Sequence, residues 1–195
     1  MKKLLSLILT ITCLITLFGC NNQNTQIKQP AMIIKPSEFS QETQDVLKLF
    51  DDEIQFFDIQ LNETAKSFTI SVWEYKDGEW KDVGTSSGQA EFLGNKIAIK
   101  LTETSYELYH IDENGHSSIK SPALDTSFEN TTSTIKWKVD QEEILELNKE
   151  KIIYAKIGTN KNEFSTAGIS TNFREVECDA GIVITLTIFD KELTD

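Results

Sequence analysis

The sequence predicts a mainly β domain, an antiparallel β-sandwich of immunoglobulin-like or jelly-roll-like kind, preceded by a short α-helix. Three observations predict it. From Ile54 onward apolar and polar residues alternate with period two, in short runs rich in β-branched and aromatic side chains. Dipeptides that tolerate positive φ, namely Asp77-Gly78, Gly94-Asn95 and Asn114-Gly115, punctuate the runs as hairpin turns. Strand and helix patterns do not alternate, as a parallel sheet would require.

The elements follow in order. Residues 21–36 are rich in Asn and Gln, hold two of the three prolines and show no sustained period, so they read as a tether, with Ile33 and Ile34 at its border with the domain. Ser40 offers an N-cap oxygen, and Val46, Leu47, Leu49, Phe50 and Ile54 follow at helical spacing. Strand runs are then expected at 54–61, 67–76, 79–83, 89–93, 96–101, 106–111, 117–120, 134–139, 152–157 and 182–189. The last is apolar on both faces, which is the pattern of a buried central strand. Phe164 to Ile169 has the composition of one helical turn. The domain organisation expected is 1–19, 20–36 and 37–195.

Residues 1–19 carry an address. Lys2 and Lys3 precede an apolar run from Leu4 to Phe18 that is too short to span a bilayer, which takes about 20 apolar residues. The segment Leu17-Phe18-Gly19-Cys20 resembles the lipobox of bacterial lipoproteins, matching at Leu17, Gly19 and Cys20 and departing from the usual small or β-branched residue at Phe18. The resemblance implies cleavage before Cys20 and a diacylglycerol on its sulfur. The membrane partner would then be reached through that lipid, since two long chains give stable anchoring. The location expected is the extracytoplasmic face of a cell membrane; the strong preference for Lys over Arg points to an AT-rich, single-membrane bacterium.

Charge narrows the partners. The chain holds 19 basic and 31 acidic residues, a formal charge of −12, and Arg174 is its sole arginine. Removing residues 1–19 takes two lysines and no acid, leaving −14. Without clustered Lys and Arg there is no means of releasing phosphate counterions, so nucleic acid is excluded. The ligands expected are neutral or basic.

The cysteines exclude internal stapling. Cys13 leaves with the signal and Cys20 takes the lipid, so Cys178 stands alone in the domain as a small hydrophobe before the last strand run. No cofactor-binding pattern is present, and neither a His-Glu-x-x-His pair nor a phosphate-cradling glycine loop occurs.

The most informative local pattern runs from Phe68 to Trp80. A two-residue turn at Asp77-Gly78 pairs Lys76 with Glu79, Tyr75 with Trp80, Glu74 with Lys81 and Trp73 with Asp82. Phe68, Ile70 and Val72 then face the core, while Trp73, Tyr75 and Trp80 share the opposite face with Thr69 and Ser71. That aromatic face is either a ligand platform or a packing surface, in the second case covered by the N-terminal helix. His110 and His116 flank a tight turn and lack a recognised ligand spacing, so no metal is expected there. The acidic groups Asp51-Asp52-Glu53 and Asp140, Glu142, Glu143 lack the spacing of a calcium loop and read as solvated faces. The function expected is a lipid-anchored binding module without catalytic apparatus, with Trp73, Tyr75 and Trp80 as the candidate contacts. Two alternatives remain: an envelope hydrolase with carboxylates assembled by the fold, and an envelope assembly or inhibitory factor.

Overall fold

Period-two alternation folds here into two stacked antiparallel sheets. The computed structural model describes residues 30–50, 54–102, 104–121, 123–161 and 168–193. In chain order the elements are β1 (Ile33–Pro36), α1 (Gln41–Leu47), β2 (Ile54–Gln60), β3 (Ser67–Lys76), β4 (Glu79–Gln89), β5 (Lys96–Leu101), β6 (Tyr106–Asp112), β7 (Gly115–Lys120), β8 (Ser133–Lys138), β9 (Glu143–Ile144), β10 (Glu150–Thr159), α2 (Ile169–Asn172) and β11 (Ala180–Phe189). Short 3-10 turns follow α1 at Lys48–Phe50, precede β5 at Ala90–Leu93 and follow α2 at Phe173–Glu175. The first sheet has the order β7-β6-β5-β2-β1-β9 and the second β4-β3-β11-β10-β8.

The core lies where the two inner faces meet. Ile34, Phe57, Ile97, Ile99 and Leu108 project from the first sheet onto Phe68, Ile70, Val72, Ile182, Ile184 and Leu186 of the second. Each such side chain contributes about 1.5–3 kcal/mol relative to an exposed position, and no disulfide is needed. Central β11, with nine strand pairs to β3 on one side and β10 on the other, is the buried strand its composition predicts.

The hairpin β3–β4 forms in the expected register, Lys76↔Glu79, Tyr75↔Trp80, Glu74↔Lys81 and Trp73↔Asp82. Asp77 (φ 56) and Gly78 (φ 85) take the positive φ values that a two-residue turn matching strand twist requires. Beyond Trp73 the register shifts, so Val72 faces Gly84 and Val83 is the extra residue of a bulge.

Several expectations are corrected. The runs 79–83 and 89–93 are one strand followed by a 3-10 turn, because β4 continues through Gly84 and Gly88 along β3. Gly94-Asn95 is not a hairpin turn: it carries the chain from the second sheet to the first, with Gly94 (φ 77) against the Ile111 carbonyl. In the β6–β7 hairpin Asp112 pairs with Gly115, which moves the turn to Glu113-Asn114, where the Asp112 carboxylate accepts the Asn114 and Gly115 N–H groups. The stretch read as tether ends in β1, inserted between β2 and β9 with Ile34 fully buried. Ser40 caps α1 as expected, accepting the Thr43 N–H, yet α1 buries no residue and leaves Val46 exposed. It borders Phe39 and Phe56 beside the first sheet and does not cover the aromatic face. The helical turn expected from Phe164 lies outside the described residues up to 167; Ile169 opens α2.

Membership of β1 in the core has a direct test. Ile34→Ala removes a fully buried side chain and is expected to lower unfolding free energy by about 2–5 kcal/mol in urea titration. A tether residue would show no change.

Candidate functional site

The outer face of the second sheet is divided in two by its side chains. Reading outward-facing residues across β4, β3, β11 and β10, one half carries Trp80, Tyr75, Trp73, Val183, Ala155 and Ile157. The other half carries Ser87, Thr85, Thr69, Ser71, Thr187 and Thr185. The apolar half must be covered, and the segment from α2 to Cys178 covers it.

This cover is a second small core. Phe173, 1% exposed, sets its ring edge-on to Trp80 at 5.1 Å and tilted against Trp73 at 5.7 Å. The Trp80 indole N–H donates to the Val176 carbonyl at 3.1 Å, and Ile169 is fully buried beneath. A Cβ on Gly181 would lie 2.5 Å from the Trp80 ring, so the absence of a side chain there admits the indole. The structure therefore brings Trp73, Tyr75 and Trp80 together, with Tyr75 edge-on to Trp80 at 5.3 Å, and roofs the two tryptophans instead of leaving an open platform.

Arg174 closes the seam between the halves. Its guanidinium stacks 4.1 Å over the Trp73 ring and forms a bidentate pair with Glu150, at 2.6 and 3.0 Å. Thr185 donates to Glu150 at 3.0 Å and accepts the Trp73 indole N–H at 3.3 Å. Burial pushes the Glu150 carboxyl up, but the hydrogen bond and charge of Arg174, with the hydrogen bonds of Thr185 and Trp73, outweigh it and hold the group below its usual range. Sequence reading missed Glu150, Phe173, Arg174 and Thr185. Only the isolation of a single arginine in a lysine-rich chain signalled any of them.

Beyond the seam the hydroxyl half is open. Thr69 and Ser87 share a hydrogen bond of 2.9 Å, and Ser71 and Thr85 one of 3.4 Å. Asp82, at the bulge, accepts the Gly84 N–H and the Thr85 hydroxyl.

The remaining candidates resolve individually. Cys178 packs against the second core, and burial with the neighbouring Asp179 charge pushes its thiol up to about 12, which leaves no thiolate at neutral pH. His110 turns toward the core and is 8% exposed, while His116 pairs with Ile111 beside Tyr109; both border one shallow cavity at the β6–β7 turn, with Asp112 and Ser117. Among the described residues no group of three or more His, Cys, Asp or Glu could hold a metal ion. Asp51, Asp52 and Glu53 lie outside them; Glu143 pairs with Lys151. Cys20 and its lipobox also lie outside the described residues. No described helix is long and apolar enough to cross a membrane.

Two constellations imitate hydrolase sites. Ser37, Lys96 and Asp58 converge on the outer face of the first sheet, with Ser37 donating to Asp58 at 2.6 Å and Lys96 bonding both. Burial raises the Asp58 carboxyl, yet hydrogen bonds from Lys96 and Ser37 and the lysine charge hold it low. Lys96 is thereby committed to an ion pair with the same carboxylate to which Ser37 donates. The sequence reading excluded a Gly-x-Ser-x-Gly elbow, yet the spacing itself occurs at Gly84-Thr85-Ser86-Ser87-Gly88. It lies in mid-strand, with Ser86 buried opposite Ile70, and makes no exposed strand-to-helix elbow.

Comparison with protein-family models, with curated proteins and with solved structures finds no match to this chain.

Two outcomes follow from the packing. In a Trp137→Phe background, Phe173→Ala is expected to cost about 3–5 kcal/mol and to raise acrylamide quenching of Trp73 and Trp80 in protein that remains folded. His110 is held neutral: burial lowers its pKa, its contact with the Leu93 carbonyl offsets only part of this, and Nδ1 is buried without a partner. The unfolded histidine titrates near about 6.5, so stability is fully present above that pH and is lost as pH falls toward the lower folded value. Urea titrations at pH 7.5 and 5.5 are expected to show a smaller acid-induced loss in His110→Phe than in the unsubstituted chain.

Proposed function

We propose that this chain is a lipid-anchored extracytoplasmic binding protein that presents the outer face of its second sheet to a neutral or basic ligand. The observation that carries the reading is the division of that face: a roofed aromatic half, an open hydroxyl half, and Trp73 with Arg174 at the seam. Of the three aromatic residues proposed from the sequence, Trp73 stands where a ligand on the open half would meet it. Tyr75 and Trp80 hold the roof in place. The lipobox at Leu17 to Cys20 supports the anchor, and the net charge of −12 supports the ligand class. The ion pair of Lys96 with Asp58 and the half-buried Cys178 thiol, packed against the second core, support a role in binding over one in catalysis.

The test is site-specific photo-crosslinking on bacteria that express the full chain. A photoreactive residue at Ser71 or Thr85 is expected to give crosslinked products that are missing when it stands at Ser118 of β7, and Cys20→Ala is expected to move the protein out of the membrane fraction. Equal products from both sheets, or none from Ser71 and Thr85, overturn the reading of the face. Retention of Cys20→Ala on the membrane overturns the anchor.

A further inference from the structure

Asn114-Gly115 is the one Asn-Gly pair of the chain, and it sits in the turn of a hairpin at the edge of the first sheet. The four residues from Asp112 to Gly115 are exposed, and a Cβ at Gly115 would meet open space, so the turn has room to change shape. The side-chain carbon Cγ of an asparagine lies within reach of the next backbone nitrogen, and a Cβ on that next residue obstructs the approach; glycine has none. Every other described asparagine is followed by a residue with a side chain: Lys after Asn95, Asn148 and Asn160, Glu after Asn62, Thr after Asn130 and Phe after Asn172.

Asp112 holds the turn in its present shape. Its Oδ1 accepts the Asn114 N–H at 2.7 Å and the Gly115 N–H at 3.0 Å. The second bond engages the nitrogen that would have to attack and keeps its proton in place. β7 carries the consequence of any change here. It pairs with β6 alone and all six of its residues are exposed, which places it at the low-stability end of the fold without a side chain in the core.

We propose that Asn114 is a site of spontaneous covalent modification, restrained by Asp112, whose product frees β7 from the sheet. The Gly115 nitrogen attacks Asn114 Cγ: an N–Cγ bond forms, the Cγ–Nδ2 bond breaks, and Nδ2 leaves as ammonia with the proton that Gly115 gives up. Water then opens the cyclic imide at either carbonyl and yields aspartate or isoaspartate. One water is consumed and one ammonia released, and no oxidant or reductant is needed. Either product places a third consecutive carboxylate beside Asp112 and Glu113, and isoaspartate adds a carbon to the backbone inside the turn that closes Asp112 on Gly115. Asp77-Gly78 is less reactive, since an ionised carboxylate is a poor electrophile. The site lies on the first sheet and is independent of the proposed binding face.

The test incubates the full chain in detergent at pH 8. Cleavage after lysine releases 101–120, whose only amide side chain is that of Asn114, so the mass gained as NH2 becomes OH reads this site alone. This peptide is expected to gain mass and split into two products before any peptide carrying Asn62, Asn95 or Asn148 changes. Asp112→Ala is expected to speed the change about fivefold, the effect of releasing one hydrogen bond, with an unchanged far-ultraviolet spectrum at the start. In urea, where the turn is gone, the variant and the parent chain are expected to change at one rate. In the modified fraction the β7 amides are expected to exchange hydrogen faster, and those of β2 and β3 at the parent rate. Mass gain at 101–120 no earlier than at the other asparagines overturns the site. Equal rates for Asp112→Ala and the folded parent, or the same difference between them in urea, overturn the restraint. Unchanged β7 exchange in the modified fraction overturns the release of β7.

Discussion

Everything on the second sheet depends on β11 having no face that can be given to water along its first half. Ile182, Ile184 and Leu186 turn inward against the first sheet, and Val183 turns outward beside Ala155 of β10 and Trp73 of β3. A sandwich covers only inner faces, so the outward group needs cover from elsewhere in the chain. That cover is the loop between β10 and β11, which returns over the sheet through α2 and Phe173 before entering β11 itself. Roof and roofed strand are therefore adjacent in sequence, and the cost of closing that loop grows only slowly with its length.

The outward residues change character together along four strands. From one end of the sheet to the other β11 presents Gly181, Val183, Thr185, Thr187 and Phe189, while β3 presents Tyr75, Trp73, Ser71, Thr69 and Ser67. On the flanks, β10 goes from Ile157 and Ala155 to Ile152 and Glu150, and β4 from Trp80 to Thr85 and Ser87. Antiparallel pairing aligns the apolar ends of all four strands, and on β4, β3 and β11 it aligns the Ser and Thr positions that follow, while β10 continues to Ile152 and Glu150. The roof stops where the gradient turns. The last roofing residue, Arg174, is also the one that can bridge, stacking its plane on Trp73 and turning its donors to Glu150.

Strand positions were legible in the sequence because period two is a local signal. The boundaries of β3 and β5 and the register of the β3–β4 hairpin follow from alternation and from Asp77-Gly78 alone. What failed were pairings made at long range. The short run at Ile33 and Ile34 is a strand only because β2 and β9 flank it, and Gly94-Asn95 resembles a hairpin turn until the two strands it joins fall into different sheets. The aromatic face was sorted to the correct side, yet alternation says which way a side chain points and nothing about what comes to lie on it. Phe173, Arg174 and the buried Ile169 sit in a stretch with no clear period, so the roof was invisible. The helix that did show a period, α1, buries nothing.

The open half is harder to explain by stability alone. Threonine suits an uncovered strand, since its branched Cβ favours extended backbone and its hydroxyl tolerates water. Lysine and glutamate serve solubility at such places equally well, and this chain uses them freely elsewhere: Lys96, Lys100 and Glu107 stand on the outer face of the first sheet. Charges there also guard against edge and face association. On β3, β4 and β11 the two rows next to the seam hold Ser and Thr, and the row after them holds Ser67, Gln89 and Phe189.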